Sequence, residues 1–453
     1  MIQTLPLTRW LSAERADDTP ISWLGDHNWT LGQLRYDVMA LAEILRQQEG
    51  ERWSLCFEDS YLFIVALLAT LYAAKTPVIP GHCRAPLLEE QHALFTGVLS
   101  DSDMPWRGLH LRVESSKCSL PFDDKMHTIA DDAFVELFTS GSTGQPKRVV
   151  KSIAALDAEA ALLAARFAGK LAGCRVVASV VPQHLYGLTF RIFLPMALGL
   201  PLHAAMLHYA EQLAALEAHP RYLFVSSPAF LKRLDYRLSA PPVDTILSAG
   251  GVLPWQDVVS VRAWLGVQVD EIYGSTETGI LAWRHRSEED IPWQPFPGVN
   301  IIAEGETFRA VSPLIADPLG LPLDDVLHFD ADGRFRLSGR RGRVVKIEEK
   351  RISLGEVERR LMDLDGIRDA VALPIVSGGR QGIGVVLVLE DALLRSWQTG
   401  RGRALELSWR QALLPWLEPV AVPRCWRVVG EIPVNSMNKR VYSQLQELFN
   451  ETA

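Results

Sequence analysis

The densest chemical signal in the chain is Thr139-Ser140-Gly141-Ser142-Thr143-Gly144-Gln145-Pro146-Lys147. Hydroxyl side chains interleave with glycines, so O–H and backbone N–H donors can converge on one anion with no Cβ in the way. Lys147 adds a mobile point charge. A polyphosphate needs this chemistry. The spacing is not that of the G-x-x-x-x-G-K-[ST] phosphate loop: Gln145-Pro146 separates Gly144 from Lys147, and Arg148 comes after the lysine. Residues 134–138 and 148–150 on either side have strand composition, which predicts a loop joining two strands rather than one opening a helix.

Further segments carry chemistry in chain order. Val181-Pro182-Gln183-His184-Leu185-Tyr186-Gly187 closes an apolar strand beginning at Val176. Ser248-Ala249-Gly250-Gly251-Val252-Leu253-Pro254 comes after the strand-like Thr245-Ile246-Leu247, and its paired glycines allow the backbone to approach a flat ring closely. In Tyr273-Gly274-Ser275-Thr276-Glu277-Thr278-Gly279, Tyr273 offers a ring face, Thr276 a hydroxyl, and Glu277 a hard oxygen ligand for Mg²⁺, which prefers carboxylate together with substrate phosphates. Asp325 stands seven residues before Asp332-Gly333, Gly339-Arg340-Arg341-Gly342-Arg343 forms a basic glycine-flanked run, and Ile432 to Lys439 ends in a single lysine.

These segments, in this order, resemble the motifs of the adenylate-forming superfamily: acyl- and aryl-CoA synthetases, luciferases and nonribosomal adenylation domains. The resemblance implies that Thr139, Ser140, Gly141, Ser142, Thr143, Gly144 and Lys147 hold the phosphates of ATP, with Thr143 and Glu277 toward Mg²⁺. It implies an adenine edge at Gly250 and Gly251, with Tyr273, Gly274 and Ser275 beside the nucleotide and Thr276 on a phosphate oxygen. It places His184 near the carboxylate pocket, Asp325 and Arg340 on the ribose, and Lys439 as the catalytic lysine. Asp324 competes with Asp325, because Leu323-Asp324 stands where the family has Thr-Gly. Other departures are Arg148 and Glu349 where the family has glycine, Leu354 where it has proline, Gly342 at the hinge pivot, and Met437-Asn438 in place of Ser-Gly before the lysine.

The implied reaction joins two anions, a carboxylate and the α-phosphate of ATP, so its barrier is largely electrostatic and preorganised cations are the expected catalysts. A carboxylate is already a nucleophile at neutral pH and needs no general base. The implied second step, after rotation about the hinge, passes the acyl group to a phosphopantetheine thiol. An acyl carrier protein is favoured over free CoA as acceptor, and an aromatic or medium-length acyl acid is the expected substrate, as in the stand-alone ligases of aryl-polyene-type pathways. Two alternatives stay open: a non-catalytic adenylate-binding or regulatory module of the same fold, and a kinase-like NTPase.

Composition narrows the field. The chain has 453 residues, 48% hydrophobic and 22% charged, which describes a globular protein of two or three domains. A net charge of −8 argues against a general nucleic-acid binder. Residues 334–360 invert that balance with ten basic and four acidic side chains, a surplus suited to ATP and to an acidic carrier or the nucleotide end of CoA. No basic-then-apolar leader is evident, and the apolar run from Leu62 to Ala74 stops at Lys75, too short to span a bilayer, so no stable membrane insertion is expected. The cysteines at 56, 83, 118, 174 and 425 show no C-x-x-C pairing and suggest reduced core thiols in a cytoplasmic enzyme.

Residues 1–338 alternate strand and helix patterns, with a clear helix from a Ser152 cap to about Phe167, predicting a large α/β domain, which the resemblance implies is a multi-sheet adenylation domain. Residues 339–453 predict a small α+β domain, which the resemblance implies is a mobile lid with its hinge near Gly342. Its elements are a helix opened by the Ser353–Glu356 capping box and ending near Gly366, strands at 370–375, 384–389 and 425–429, and helices at 404–417 and 440–449.

Overall fold

The apolar run beginning at Leu62 becomes the helix Ser60–Tyr72, in which every residue but Leu62 is buried. Asp59 caps it, its carboxylate accepting the Leu62 N–H at 2.9 Å. The computed structural model in which it lies describes residues 4–81, 83, 85–123, 128–140, 146–218, 220–340, 344–347, 350–377, 380–417, 419–434 and 440–450. Among these no helix is long and apolar enough to cross a membrane. The chain divides into two units, Met1–Asn300 with Ala310–Leu321, and Ile301–Arg309 with Pro322–Ala453.

The larger unit is built on two sheets. One has the strand order Leu109–Arg112, Gly97–Ser100, Arg52–Cys56, Thr76–Ile79, Phe134–Ser140, Pro146–Ser152. The first five strands are parallel, and the last turns back antiparallel, setting Thr139 opposite Lys147 and Ser140 opposite Pro146. The expected strands on either side of residues 141–145 are present. The other sheet runs Gln294–Pro295, Gly279–His285, Val269–Ser275, Val243–Ser248, Tyr222–Ser226, Arg175–Ala178, Leu202–His203, Pro20–Leu24, His27–Thr30. Its central strands are parallel. Tyr222–Ser226 is buried along its whole length, as a parallel strand covered on both faces must be.

Ser152 ends the last strand of the first sheet and caps the next helix, Ile153–Leu171, by accepting the Ala155 N–H at 3.1 Å. The helix buries Ile153, Leu156, Ala160, Leu163, Ala164 and Phe167 at helical spacing. Phe167 has no solvent exposure. Phe167→Ala is expected to cost about 3–5 kcal/mol, the range for a large aromatic lost from a packed core; the shift of the urea midpoint at constant slope measures it.

In the smaller unit the strands Ile367–Ser377 and Arg380–Leu389 pair antiparallel, and Cys425–Val428 adds parallel to the second. Both faces of this sheet are apolar. Ala370, Ala372, Ile383, Val385 and Leu387 pack with Leu354, Val357 and Leu361 of the helix Leu354–Met362 and with Trp409 and Leu413 of Gly402–Leu413. Val371, Leu373, Val386 and Val388 pack with Leu445 of Tyr442–Asn450. That two-sided burial explains why the strands show apolar runs rather than alternation. The helix after Ser353 ends at Met362, earlier than expected, with Gly366 at φ +80° leading the chain into the next strand. The last helix begins at Tyr442 because Arg440 is held in a bridge with Val434. The free cysteines also depart from expectation: Cys56 and Cys174 are buried, but Cys118 is exposed, on an irregular segment.

Candidate functional site

The sheet order decides which motif segments become neighbours. Val269–Ser275, Val243–Ser248, Tyr222–Ser226 and Arg175–Ala178 are consecutive parallel strands, so the segments after their carboxyl ends gather along one edge. That edge carries Gly274 to Gly279, then Gly250 and Gly251, then Ser227, then the segment with His184. Ligand sites of open parallel sheets form at such an edge. Tyr186 ties three of these ends together: its hydroxyl lies 2.9 Å from both the Ser226 and Leu247 carbonyls. His184 caps the short helical turn after it, its Nδ1 accepting the Gly187 N–H at 3.0 Å, which assigns the neutral tautomer with the proton on Nε2. Gly250, at φ +91°, and Gly251 are exposed where the strand Val243–Ser248 ends.

The turn at residues 274–279 is tightly built. A Cβ on Gly274 would lie 2.2 Å from the Gly279 carbonyl oxygen, so only glycine fits there. The Ser275 N–H donates to the Thr278 hydroxyl at 3.1 Å, and the Thr278 N–H to the Ser275 hydroxyl at 3.2 Å. Thr276 and Glu277 occupy the tip, both partly buried. Tyr273 stands 5.8 Å from the Trp293 ring, which Arg284 covers at 4.4 Å.

Lys147, from the hairpin of the first sheet, meets this turn. Its Nζ lies 2.8 Å from Glu277 Oε1, joining two segments 130 residues apart. Burial pushes the Glu277 carboxyl up, but the hydrogen bond and charge of Lys147 outweigh it and leave the group below its ordinary value of 4.5. A carboxyl depressed in the folded state contributes stability that is complete above 4.5 and is lost as the pH falls through the depressed value. Lys147→Met removes the cationic partner and leaves burial. The Glu277 carboxyl is then expected to titrate at higher pH, observed by carboxyl-carbon NMR; an unchanged titration would mean that the pair does not form in solution.

Arg148, which stands where glycine was expected, has a structural partner. Its guanidinium and that of Arg52 both bond the buried Glu136. Glu136 lies on the strand leading into the hydroxyl-rich loop, so the arginine braces the hairpin from its far side. In the smaller unit Asp325 opens the strand Asp325–Phe329 and is the backbone register partner of Arg340. Asp324 is exposed just ahead of that strand. Gly141, Ser142, Thr143, Gly144, Gly342, Glu349 and Lys439 lie outside the described residues. Val434 and Arg440, which flank the segment holding Lys439, are bridged, and Arg440 bonds Asp369 at 2.8 Å and Glu358 at 3.3 Å.

Two residues at this site escaped the sequence analysis. The buried Lys151 donates to the Glu277 carbonyl at 2.8 Å. The buried Glu159 accepts the Ile280 N–H at 2.7 Å and the Thr189 hydroxyl at 2.6 Å. A signal existed for each. Glu159 interrupts the apolar stripe of its helix, and Lys151 falls on the same strand face as Lys147 and the buried Val149.

A single carboxylate on a turn of this kind would suit Mg²⁺, which takes few protein ligands and completes its shell with water and phosphate oxygens. Among the described residues no cluster of three or more His, Cys, Asp or Glu could enclose a metal without substrate. The ionised, partly exposed Glu277 fits the first kind of site.

Fold and site define the class: a multi-sheet α/β protein with a lysine–carboxylate pair, Lys147 with Glu277, beside the turn that follows the strand Val269–Ser275. The family described as AMP-binding enzyme matches residues 84–313, and the chain belongs to it. A 4-coumarate–CoA ligase of Cereibacter sphaeroides is 30% identical over 282 residues, 59% of this chain and 63% of the relative. An L-proline–[L-prolyl-carrier protein] ligase of Streptomyces coelicolor is 26% identical over 296 residues, 53% of this chain and 54% of the relative. The chain thus spans less than two thirds of the length of these curated relatives. Its fold is shared with ATP-bound MatB from Rhodopseudomonas palustris, at TM-score 0.80 and 17% identity over 99% of each chain.

Proposed function

We propose that the protein is an AMP-forming ligase that activates a carboxylic acid with ATP and passes the acyl group to a phosphopantetheine thiol. The observation that carries this is the contact between Lys147 and Glu277, which sets a cation and a hard anionic ligand side by side at the turn 274–279. Lys147 and the hydroxyl-rich loop bind the β- and γ-phosphates. Glu277, with Thr143, would hold Mg²⁺, which would supply neutralisation of phosphate charge. Thr276 contacts the α-phosphate, Tyr273 and the Gly250-Gly251 edge take adenine, and Asp325 with Arg340 takes the ribose. His184 lines the acid pocket.

In the first step a carboxylate oxygen attacks the α-phosphorus, the bond to the bridging oxygen breaks, and pyrophosphate leaves; Lys439 meets the charge gathering between carboxylate and α-phosphate. In the second step the thiol sulfur attacks the acyl carbon, AMP leaves, and the thiol proton passes to solvent. A rotation about the hinge near Gly342 separates the steps. The coumarate ligase among the relatives supports an aromatic acid, and the prolyl-carrier ligase supports a carrier protein as acceptor. Incubation with ATP, a mixed acid library and either CoA or a phosphopantetheinylated carrier, read by mass spectrometry, tests this. AMP and one acyl thioester are expected, on the carrier in preference to CoA. ADP instead of AMP, or silence across aryl and acyl acids, would overturn the proposal.

A further inference from the structure

We infer that Lys151 and Glu159, which belong to none of the motif segments, are positioning residues for the reaction: they fix from behind the turn that presents Glu277. This rests on the proposed ligase function. Side chains alternate along a strand, so Lys147, Val149 and Lys151 share one face of Pro146–Ser152. From that face Lys147 reaches the Glu277 carboxylate and Lys151 reaches the Glu277 carbonyl, each at 2.8 Å. One strand therefore sets the side chain and the backbone of the same residue. Glu159, one helical stretch further on, secures the exit of the turn through the Ile280 N–H. It also packs against Gly279, where a Cβ would lie 2.9 Å from its Oε1. The Gly279 φ of +71° adds a second bar to any side chain there.

Both charges are buried, and burying a charge is costly unless it is well bonded. Desolvation lowers the Lys151 pKa and raises that of Glu159, and each offsets the other in part. The two bond to the two ends of one turn, at the Glu277 carbonyl and the Ile280 N–H, and so hold still the residue proposed to face Mg²⁺ and phosphate. Displacing that carboxylate by about 1 Å is on the scale that costs roughly 10²-fold in rate.

The test uses the full chain with Lys151→Met, Lys151→Arg and Glu159→Met. Three readouts are taken: acid-dependent pyrophosphate exchange against Mg²⁺ concentration, the thermal midpoint, and hydrogen exchange of the 277–280 amides. Lys151→Met and Glu159→Met are expected to lower kcat roughly 10²-fold, to move the Mg²⁺ requirement upward, and to speed exchange at 277–280 while Val269–Tyr273 stays protected. Lys151→Arg, which keeps a donor, should recover most of the loss. Unchanged Mg²⁺ dependence with unchanged exchange at 277–280 would overturn the inference, as would a loss of activity matched by global loss of protection. Should the parent protein show no exchange with any acid, the ligase proposal fails, and the hydrogen-exchange result alone still decides whether the pair fixes the turn.

Discussion

Lys439→Ala is expected to cut acid-dependent pyrophosphate release by roughly 10²–10³-fold, the loss seen when one preorganised donor to a developing charge is removed. A synthetic acyl-adenylate supplied to the same variant is expected to react with the thiol at close to the parent rate. The asymmetry comes from electrostatics. In the proposed first step a carboxylate approaches a phosphate, both negative, and a cation between them would stabilise the transition state more than either reactant. In the second step the attacking thiol meets a carbonyl already activated, and a lysine at the phosphate contributes little. Arg440, the next residue in the chain, is bonded to Asp369 and Glu358, and Glu358 also accepts the Ala372 N–H at 2.7 Å. Parallel assays of the two half-reactions read the outcome. Equal losses in both would show that Lys439 serves folding or general binding.

The elements flanking the hydroxyl-rich loop were legible because their signals are local. Phe134–Ser140 and Pro146–Ser152 have strand composition, Ser152 is a good cap, and the helix after it repeats apolar residues every three or four positions. The apolar run from Leu62 was legible as buried helix for the same reason. Sheet order was not legible. Nothing local to Tyr222–Ser226 says that it lies between Arg175–Ala178 and Val243–Ser248, yet that placement gathers the His184, Gly250 and Glu277 segments along one edge. Element ends moved where tertiary contacts outweighed local preference, as at Arg440, whose ion pairs and bridge hold it out of the last helix.

The site shows the same division. Lys147 and Glu277 could each be read as functional from residue type and setting, but their direct contact across 130 residues could not. Arg148 appeared from sequence only as a departure. Its role depends on Glu136, which alternation along its strand turns inward and which Arg52 reaches from another strand. Lys151 and Glu159 resemble surface charges by residue type. Only the periodicity of their own elements marks them as buried, and only the fold reveals their partners.

Glu277→Gln is expected to lower adenylation by roughly 10²-fold, comparable with loss of a preorganised electrostatic contact, and Lys147→Met by a similar factor. The double variant is expected to be little worse than either alone. Lys147 and Glu277 touch, and both are proposed to act on one triphosphate, so removing either leaves the other poorly placed: without Glu277 the lysine loses the partner that orients it, and without Lys147 the carboxylate is left partly buried and its pKa rises. Residues in contact couple by about 0.5–3 kcal/mol, on the order of 2–150-fold in rate, whereas independent sites multiply their effects. Pyrophosphate-exchange rates of the four proteins close the cycle. Single effects that multiply in the double variant would place the two groups on separate steps or separate ligands, and the shared phosphate site would then be wrong even if each residue alone proved necessary.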